Sequence, residues 1–268
     1  MVAASRVFLL VAENKSYADV IGSSSAPFLN SLGTKYSIAS NYFANAHPSL
    51  PNYFMLTTGQ LIASDDNFSG VVDVDNVVRE LAKAGHSWRV YAESLPSEGA
   101  LGSGKPPYAR WHNPFVYFSD VANDPAQWGN IVPFSQFAGD LAANTLPDYV
   151  YLLPDDSHNS HDCPNGTAAC VTQMDQWLQA NIQPLIDSPA FQQGGLLVIT
   201  FDESEDSDVQ FGGGHIATII AGPHVKAGYT STTFYQHPSV LRLTLQALGI
   251  TSYPGAAATA PDMTEFFH

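Results

Sequence analysis

Five short apolar runs, at residues 7–12, 88–92, 149–153, 196–201 and 216–221, constrain what this chain can fold into more than any other feature. Each is rich in Val, Ile, Leu and aromatic residues and lacks the polar alternation of a half-solvated strand. Runs of this kind read as strands buried on both faces, the pattern of a parallel sheet. Between them lie stretches with apolar residues at helical spacing: 76–84, closed by Gly85, then 174–186, then 239–248, closed by Gly249. The alternation predicts an α/β fold, with a mostly parallel sheet covered by helices on both faces. No Pro/Gly/Ser-rich linker or charge block divides the 268 residues, so one domain spanning 1–268 is expected. Residues 94 to 146, rich in Pro, Gly and aromatics, read as an irregular insertion that walls a cleft.

Polar clusters follow four of these runs directly. Glu13-Asn14 follows the first, Glu93-Ser94 the second, Asp155-Asp156-Ser157-His158 the third and Asp202-Glu203 the fourth. Open parallel sheets bind ligands outside the carboxyl ends of their strands. One acid after a strand is an ordinary helix cap; four such clusters on one edge point to a site. Asp202-Glu203 is the strongest metal candidate, because adjacent carboxylates at the end of a rigid strand offer hard oxygen ligands. Glu13 and Asn14 add a carboxylate and an amide oxygen.

Charge narrows the function. The chain has 25 Asp and Glu against 10 Lys and Arg, a formal net charge of −15. That balance excludes nucleic-acid binding through a basic footprint. It also repels anionic substrates, so a phosphate site here must be made locally positive, most simply by a bound cation. Two cysteines, Cys163 and Cys170, flank a short loop holding Pro and Gly that is able to close a disulfide, which suits an oxidising compartment. No run reaches transmembrane length and no signal peptide is visible. Met1-Val2-Ala3 reads as a start placed where a signal has been removed, so the expected location is secreted or periplasmic.

The segment His47-Pro48-Ser49-Leu50-Pro51-Asn52-Tyr53 supplies a nucleophile. Prolines on both sides stiffen the backbone at Ser49. A stiff turn leading into a helix presents a hydroxyl at a helix N-terminus, where phosphate is favoured. Serine is weakly nucleophilic at neutral pH, and metal coordination activates it. Of nine histidines, His47, His112, His158, His161, His215 and His237 sit beside other polar or turn residues. A histidine near neutrality can protonate a leaving alkoxide or ligate a metal. P-loop, dinucleotide-binding, nucleophile-elbow and His-Glu-x-x-His motifs are absent.

Taken in order, these motifs resemble a known family. The string Glu13-Asn14-Lys15-Ser16-Tyr17, the Ser49 turn, Tyr91-Ala92-Glu93-Ser94-Leu95-Pro96, Tyr108-Ala109-Arg110 with His112-Asn113-Pro114, His161-Asp162, Asp202-Glu203, His215-Ile216-Ala217-Thr218 and His237-Pro238-Ser239 are similar to the bacterial phosphoesterase family. That family holds secreted acid phosphatases and phosphatidylcholine-type phospholipases C within the alkaline phosphatase superfamily. The resemblance spans about residues 6 to 250. It implies an alkaline-phosphatase-like three-layer sandwich. It also implies a divalent metal (Ca, Mg, Mn or Zn) held by Glu13, Asn14, Asp202 and Glu203 together with Ser49. His161, next to Asp162, is then the acid to the leaving group, while His215 and His237 contact phosphate or a second metal. Asn52, Arg110 and His112 fall to substrate binding. The chain departs from the family pattern at Asn159, where relatives commonly carry Asp, and at Trp111, where they often carry a basic residue.

The expected activity is metal-dependent hydrolysis of phosphate monoesters through a phosphoserine on Ser49. The substrate is a small phosphorylated molecule, with a phospholipid or phosphoinositide headgroup among the candidates. One rival is a phosphodiesterase or phospholipase C on the same scaffold, with Phe115, Tyr117, Phe118 and Trp128 of the insertion holding an acyl or aryl group. A rival of another class is an inactive protein that binds phosphorylated ligands.

Overall fold

The computed structural model describes residues 3–102 and 106–268. Met1 and Val2, part of the expected processed start, and residues 103–105 of the insertion lie outside the described residues. The strands are β1 (Arg6–Ala12), β2 (Ser37–Ala39), β3 (Trp88–Ala92), β4 (Ile131–Pro133), β5 (Tyr149–Leu153), β6 (Gly195–Phe201), β7 (Thr218–Ala221) and β8 (Tyr229–Ser231). The helices are α1 (Tyr17–Val20), α2 (Pro27–Lys35), α3 (Ser49–Thr58), α4 (Val77–Ala84), α5 (Ser119–Ala122), α6 (Phe137–Ala142), α7 (Thr167–Ile186), α8 (Pro189–Gln192) and α9 (His237–Ala247). Among the described residues, one sheet joins all the strands in the order β4-β3-β5-β1-β6-β7-β2-β8.

Pairing is parallel from β4 through β6 and again between β2 and β8. Every residue of β5 and β6, and all of β1 after Arg6, is buried. Side chains alternate between the two faces of a strand, so burial without alternation means that both faces are covered. The covering helices form two sets: α3 and α4 pack on α9, while α1, α2 and α8 pack on α7.

The fifth apolar run corrects its expected direction, because β7 runs antiparallel to β6. A parallel return needs a crossover of a dozen or more residues, usually through a helix. The connection from β6 to β7 contains only the short turn Gln210–Gly212. The chain therefore reverses along the carboxyl edge of β6, and His215, just before β7, stays on that edge. In the insertion, the aromatic residues that the diesterase rival would use to hold an acyl or aryl group mostly pack into the core. Phe115, Tyr117 and Phe118 are fully buried core residues, leaving only Trp128 of that group half exposed, with its indole N–H held by the Val121 carbonyl at 2.9 Å.

Candidate active site

The site begins with register. Ala12 pairs with Phe201, so the next residues, Glu13 and Asp202, leave the sheet side by side. The Asp202 N–H donates to the Ala12 carbonyl at 3.0 Å, which extends the ladder one step past the strands. Asn14 then turns sharply with φ 47°, a left-handed conformation that Asn tolerates better than most residues. Its N–H donates to Asp202 Oδ1 at 3.2 Å. Glu13, Asp202 and Glu203 are all buried.

Ser49 arrives from the opposite direction as the first residue of α3, with Pro48 ahead of it and Pro51 in the first turn. Proline is compatible with a first turn, where its missing N–H has no intrahelical partner. Asp66 Oδ1 accepts the Leu50 N–H at 2.8 Å and so caps the helix from outside. The Ser49 hydroxyl donates to Glu13 Oε2 at 3.1 Å and lies 3.4 Å from Glu203 Oε1. Strand tips and helix start, far apart in sequence, therefore converge on one point.

Three buried carboxylates at one point oppose their own ionisation. Burial, then the charge of Asp202, raises Glu13 well above the usual range. Burial, then Glu203, pushes Asp202 up to about 7. Burial also raises Glu203. Cations counter part of this. His47 Nδ1 lies 2.9 Å from Glu203 Oε2, and that bond raises His47 to about 9. Lys15, itself buried, donates from Nζ to the Asn14 carbonyl at 2.7 Å.

The remaining expected residues divide. His112 is buried at the site, with Nε2 3.3 Å from Glu13 Oε1 and Nδ1 3.4 Å from Asp156 Oδ1. His161 lies behind it, ring centroids 5.7 Å apart, with Nδ1 3.0 Å from Asp162 Oδ1. His237 is fully buried, and neither nitrogen is available to a ligand. Its Nε2 donates to the Asp202 carbonyl at 2.6 Å, and its Nδ1 accepts from the Tyr42 hydroxyl at 3.2 Å. Burial lowers it to about 4, which keeps it neutral. His215 is clamped between Tyr17 and Phe43, and its Nε2 donates to the Ser40 carbonyl at 2.9 Å.

Asn52, expected to touch substrate, instead braces the turn before Ser49. Its Oδ1 accepts from the Asn45 and Ala46 N–H groups at 3.0 Å, and its Nδ2 donates to the Ala46 carbonyl at 2.7 Å and reaches Glu203 Oε2 at 3.3 Å. Arg110, expected on the phosphate, stacks its guanidinium 3.9 Å from the Tyr117 ring centroid and donates from Nε to the Leu101 carbonyl. At the variant motif, buried Asn159 donates to Asp156 Oδ1 at 3.3 Å, so the acid beside His112 is Asp156. Glu93 serves a separate cluster, accepting from Trp177 Nε1 at 3.1 Å and lying 3.0 Å from His158 Nδ1.

Sequence reasoning gave no role to Lys15 or Tyr53, carried His47 only as one of six candidate histidines, and carried Asp156 only as part of the acid cluster after the third run. Tyr53 donates its hydroxyl to Glu13 Oε1 in a short hydrogen bond. His47 and Tyr53 were within reach, since they bound the Ser49 segment. Lys15 and Asp156 gain their roles only through tertiary contact.

A cation fits this donor set. Asn14 Oδ1 and Asp202 Oδ2 are buried and have no hydrogen-bond partner among the described residues. Unpaired buried oxygens beside three strained carboxylates are what a hard divalent ion would satisfy.

Residues 21–251 match the Phosphoesterase family. The chain belongs to the phosphoesterase family. It is 32% identical over 265 residues to a phosphatidylinositol-3-phosphatase of Mycobacterium tuberculosis, covering 98% of this chain and 83% of that protein. It is 31% identical to a probable acid phosphatase of Kluyveromyces lactis, covering 88% of this chain but only 56% of that longer relative. Among solved structures, an alkaline phosphatase superfamily protein from Vibrio parahaemolyticus aligns with a TM-score of 0.66 at 12% identity, covering 98% of this chain and 72% of that one. A phosphonate monoester hydrolase of Agrobacterium radiobacter aligns with a TM-score of 0.67 at 12% identity, covering 98% of this chain and 77% of that one. These distant likenesses establish the fold. Family membership and the sequence relatives make this chain a phosphoric ester hydrolase.

Proposed function

We propose that the chain is a metal-dependent phosphomonoesterase of the acid phosphatase type, with Ser49 as nucleophile. The observation that carries this reading is the Ser49 hydroxyl, at the start of a buried helix, in hydrogen-bond reach of both Glu13 and Glu203. Glu13, Asn14, Asp202 and Glu203 are the residues that would hold the divalent cation. When bound, it supplies positive charge against the carboxylates and the charge developing on phosphoryl oxygens.

The protein's own groups account for the rest. Ser49 Oγ attacks phosphorus in line with the ester oxygen, with Glu13 Oε2 as acceptor for its proton 3.1 Å away. As the phosphorus–oxygen bond breaks, the leaving oxygen takes a proton from His161. Asp162 beside Nδ1 orients that ring and leaves Nε2 for the leaving group. Water then attacks the phosphoserine, giving its proton to His161, and phosphate leaves as Ser49 Oγ takes back its proton from Glu13. The substrate class is a phosphate monoester of a small organic alcohol, and the name of the Mycobacterium tuberculosis relative points toward a phosphoinositide. The Cys163–Cys170 disulfide supports a secreted or periplasmic home.

Ser49→Ala should cut turnover of a chromogenic phosphomonoester by more than about a hundredfold, with an unchanged circular-dichroism melt. A loss of less than about tenfold, roughly 1.4 kcal/mol of barrier, would remove Ser49 from the mechanism. The matching diester, assayed alongside, separates a monoesterase from a diesterase. Phosphate release that stops with a chelator excludes an inactive binding protein.

A further inference from the structure

We propose that Phe43, Phe211 and Phe234 form an aromatic platform that takes the apolar or aryl group of an individual phosphate ester while Ser49 acts on its phosphate. This rests on the reading of Ser49 as the nucleophile.

The platform is the outer end of a row of stacked rings. Tyr17 and His215 stack at 4.4 Å with an interplanar angle of 5°, and His215 and Phe43 stack at 4.8 Å. Phe43 meets Phe211 at 4.6 Å and Phe234 at 5.7 Å, and those two meet each other at 4.8 Å. The inner end is close to the site, since Tyr17 lies three residues after Asn14, within about 11 Å along an extended chain. Phe43 precedes Ser49 by six residues, within about 20 Å by the same measure. The outer end faces solvent: Phe211 is 62% exposed, Phe234 36% and neighbouring Val209 68%. Isolated apolar residues on a surface need no explanation, but a contiguous cluster of them marks a binding surface.

The exposure is held in place at a cost. Phe211 has φ 53°, an unfavourable left-handed backbone for an aromatic residue. The glycines after it allow a close approach. A Cβ at Gly212 would sit 2.0 Å from the Asn45 carbonyl oxygen, and one at Gly213 2.4 Å from that of Ala46. Gln236 Nε2 donates to the carbonyls of Phe211 and Ala44, both at 3.1 Å. The exposed ring is therefore fixed to the segment that leads into Ser49. Next to it lies a cavity of about 200 Å³, lined mainly by Met55, Phe234, Pro238, Ala256, Ala260 and Pro261. Its lining suits hydrocarbon. The loop carrying Phe211 presents Glu205, Asp206 and Asp208 to solvent and holds no Lys or Arg. That charge repels an anionic bilayer and favours the uncharged end of a single ester molecule as occupant.

The test uses methyl phosphate and a series of n-alkyl phosphates from butyl to octyl. In the wild type, kcat/KM should rise about two- to fourfold per methylene as chain is buried. Phe211→Ala/Phe234→Ala should flatten that slope, losing about tenfold or more on octyl phosphate and less than twofold on methyl phosphate. Phe211→Ala alone, at a solvent-facing position, should show the same trend at smaller size. Equal slopes in wild type and variant, or equal proportional losses on methyl and octyl phosphate, would overturn the platform. If the wild type hydrolyses none of these esters, the phosphomonoesterase reading fails and calorimetry decides the platform separately. Tighter binding of octylphosphonate than methylphosphonate, lost in the double variant, supports it; equal binding overturns it. Sedimentation with phosphatidylcholine or phosphatidylglycerol vesicles, abolished in the double variant while the alkyl slope is unchanged, would make the patch a bilayer contact instead.

Discussion

Asp202 has an ordinary carboxyl chemistry placed where it cannot ionise freely. Burial and the neighbouring charge of Glu203 push it up to about 7 in the folded chain, against about 3.9 in an unfolded one. The metal-free folded state therefore binds its proton more tightly than the unfolded state does. Stability from this group is present at low pH and is lost as pH rises through about 7. Asp202→Asn should remove that penalty. With chelator at pH 8 the variant should be more stable than wild type by on the order of 2 kcal/mol, a few degrees in melting temperature. At pH 4 the two should melt together. Saturating divalent metal should reverse the order, raising wild type by about 2.7 kcal/mol at a hundredfold excess over Kd and Asp202→Asn far less. Scanning fluorimetry at both pH values, with chelator and with each of Ca, Mg, Mn and Zn, reads all of this. A variant no more stable than wild type at pH 8 without metal would refute charge strain. At this scale the sequence was informative about placement wherever a residue sits directly at a strand end or proline turn, as with Glu13, Asp202 and Ser49, which the structure brings together. It was uninformative for His237 and Asn52. Their work lies in contacts to Asp202 and to the Asn45–Ala46 backbone, and no local pattern encodes which carbonyl a buried side chain will meet.

Elements aim these residues, and the ends of elements matter more than their middles. α4 follows local rules: Asn76 caps it through the Arg79 N–H, and Gly85 closes it with φ 76°. Its limits were readable because both signals are local. The direction of β7 was not, because an apolar run carries no arrow and only the absence of a crossover helix sets it. β2, β4 and β8 span three residues each and leave too little periodicity to detect. α7 begins at Thr167, seven residues before the apolar spacing becomes clear at Met174. Its early start coincides with the Cys163–Cys170 bridge, whose Cα atoms are 5.2 Å apart across the helix entrance. The same turn holds Ser160, whose hydroxyl donates to the Glu13 carbonyl at 3.1 Å. Cys163→Ser/Cys170→Ser should therefore cost about 2.5 kcal/mol, the loop-closure value for so short a ring, and reduce activity by loosening the Asn159–Asp162 segment. Urea melts with and without reductant test the first part. A reductant-independent midpoint in the wild type would show that the bridge contributes nothing.

At the scale of the whole chain, the proposal that residues 1–268 are one folding unit makes a demand at the far edge of the sheet. Glu265, near the C-terminus, clasps β8. Its carboxylate accepts from Tyr229 at 2.9 Å, from Tyr235 at 2.6 Å and from the Ser231 hydroxyl. Burial alone would raise Glu265, but hydrogen bonds from Ser231, Tyr235 and Tyr229 outweigh it and hold the group below its ordinary value. A depressed carboxyl stabilises the fold above its unfolded pKa and loses that contribution as pH falls through the folded value. Glu265→Gln should cost about 1 kcal/mol at pH 7, after allowing for solvent screening, and the difference should vanish in strong acid. The four tryptophans, with Trp88 in β3 near the opposite edge, report whether the effect is global. One buried apolar cluster includes both Trp88 and Phe266. In a single cooperative unit the tryptophan fluorescence and circular-dichroism transitions coincide, and Glu265→Gln shifts both together. Two separated transitions, only one of which moves, would divide the chain into domains. The edge proposed to be catalytic, built from β1, β6 and a helix start, would then depend on only one of them.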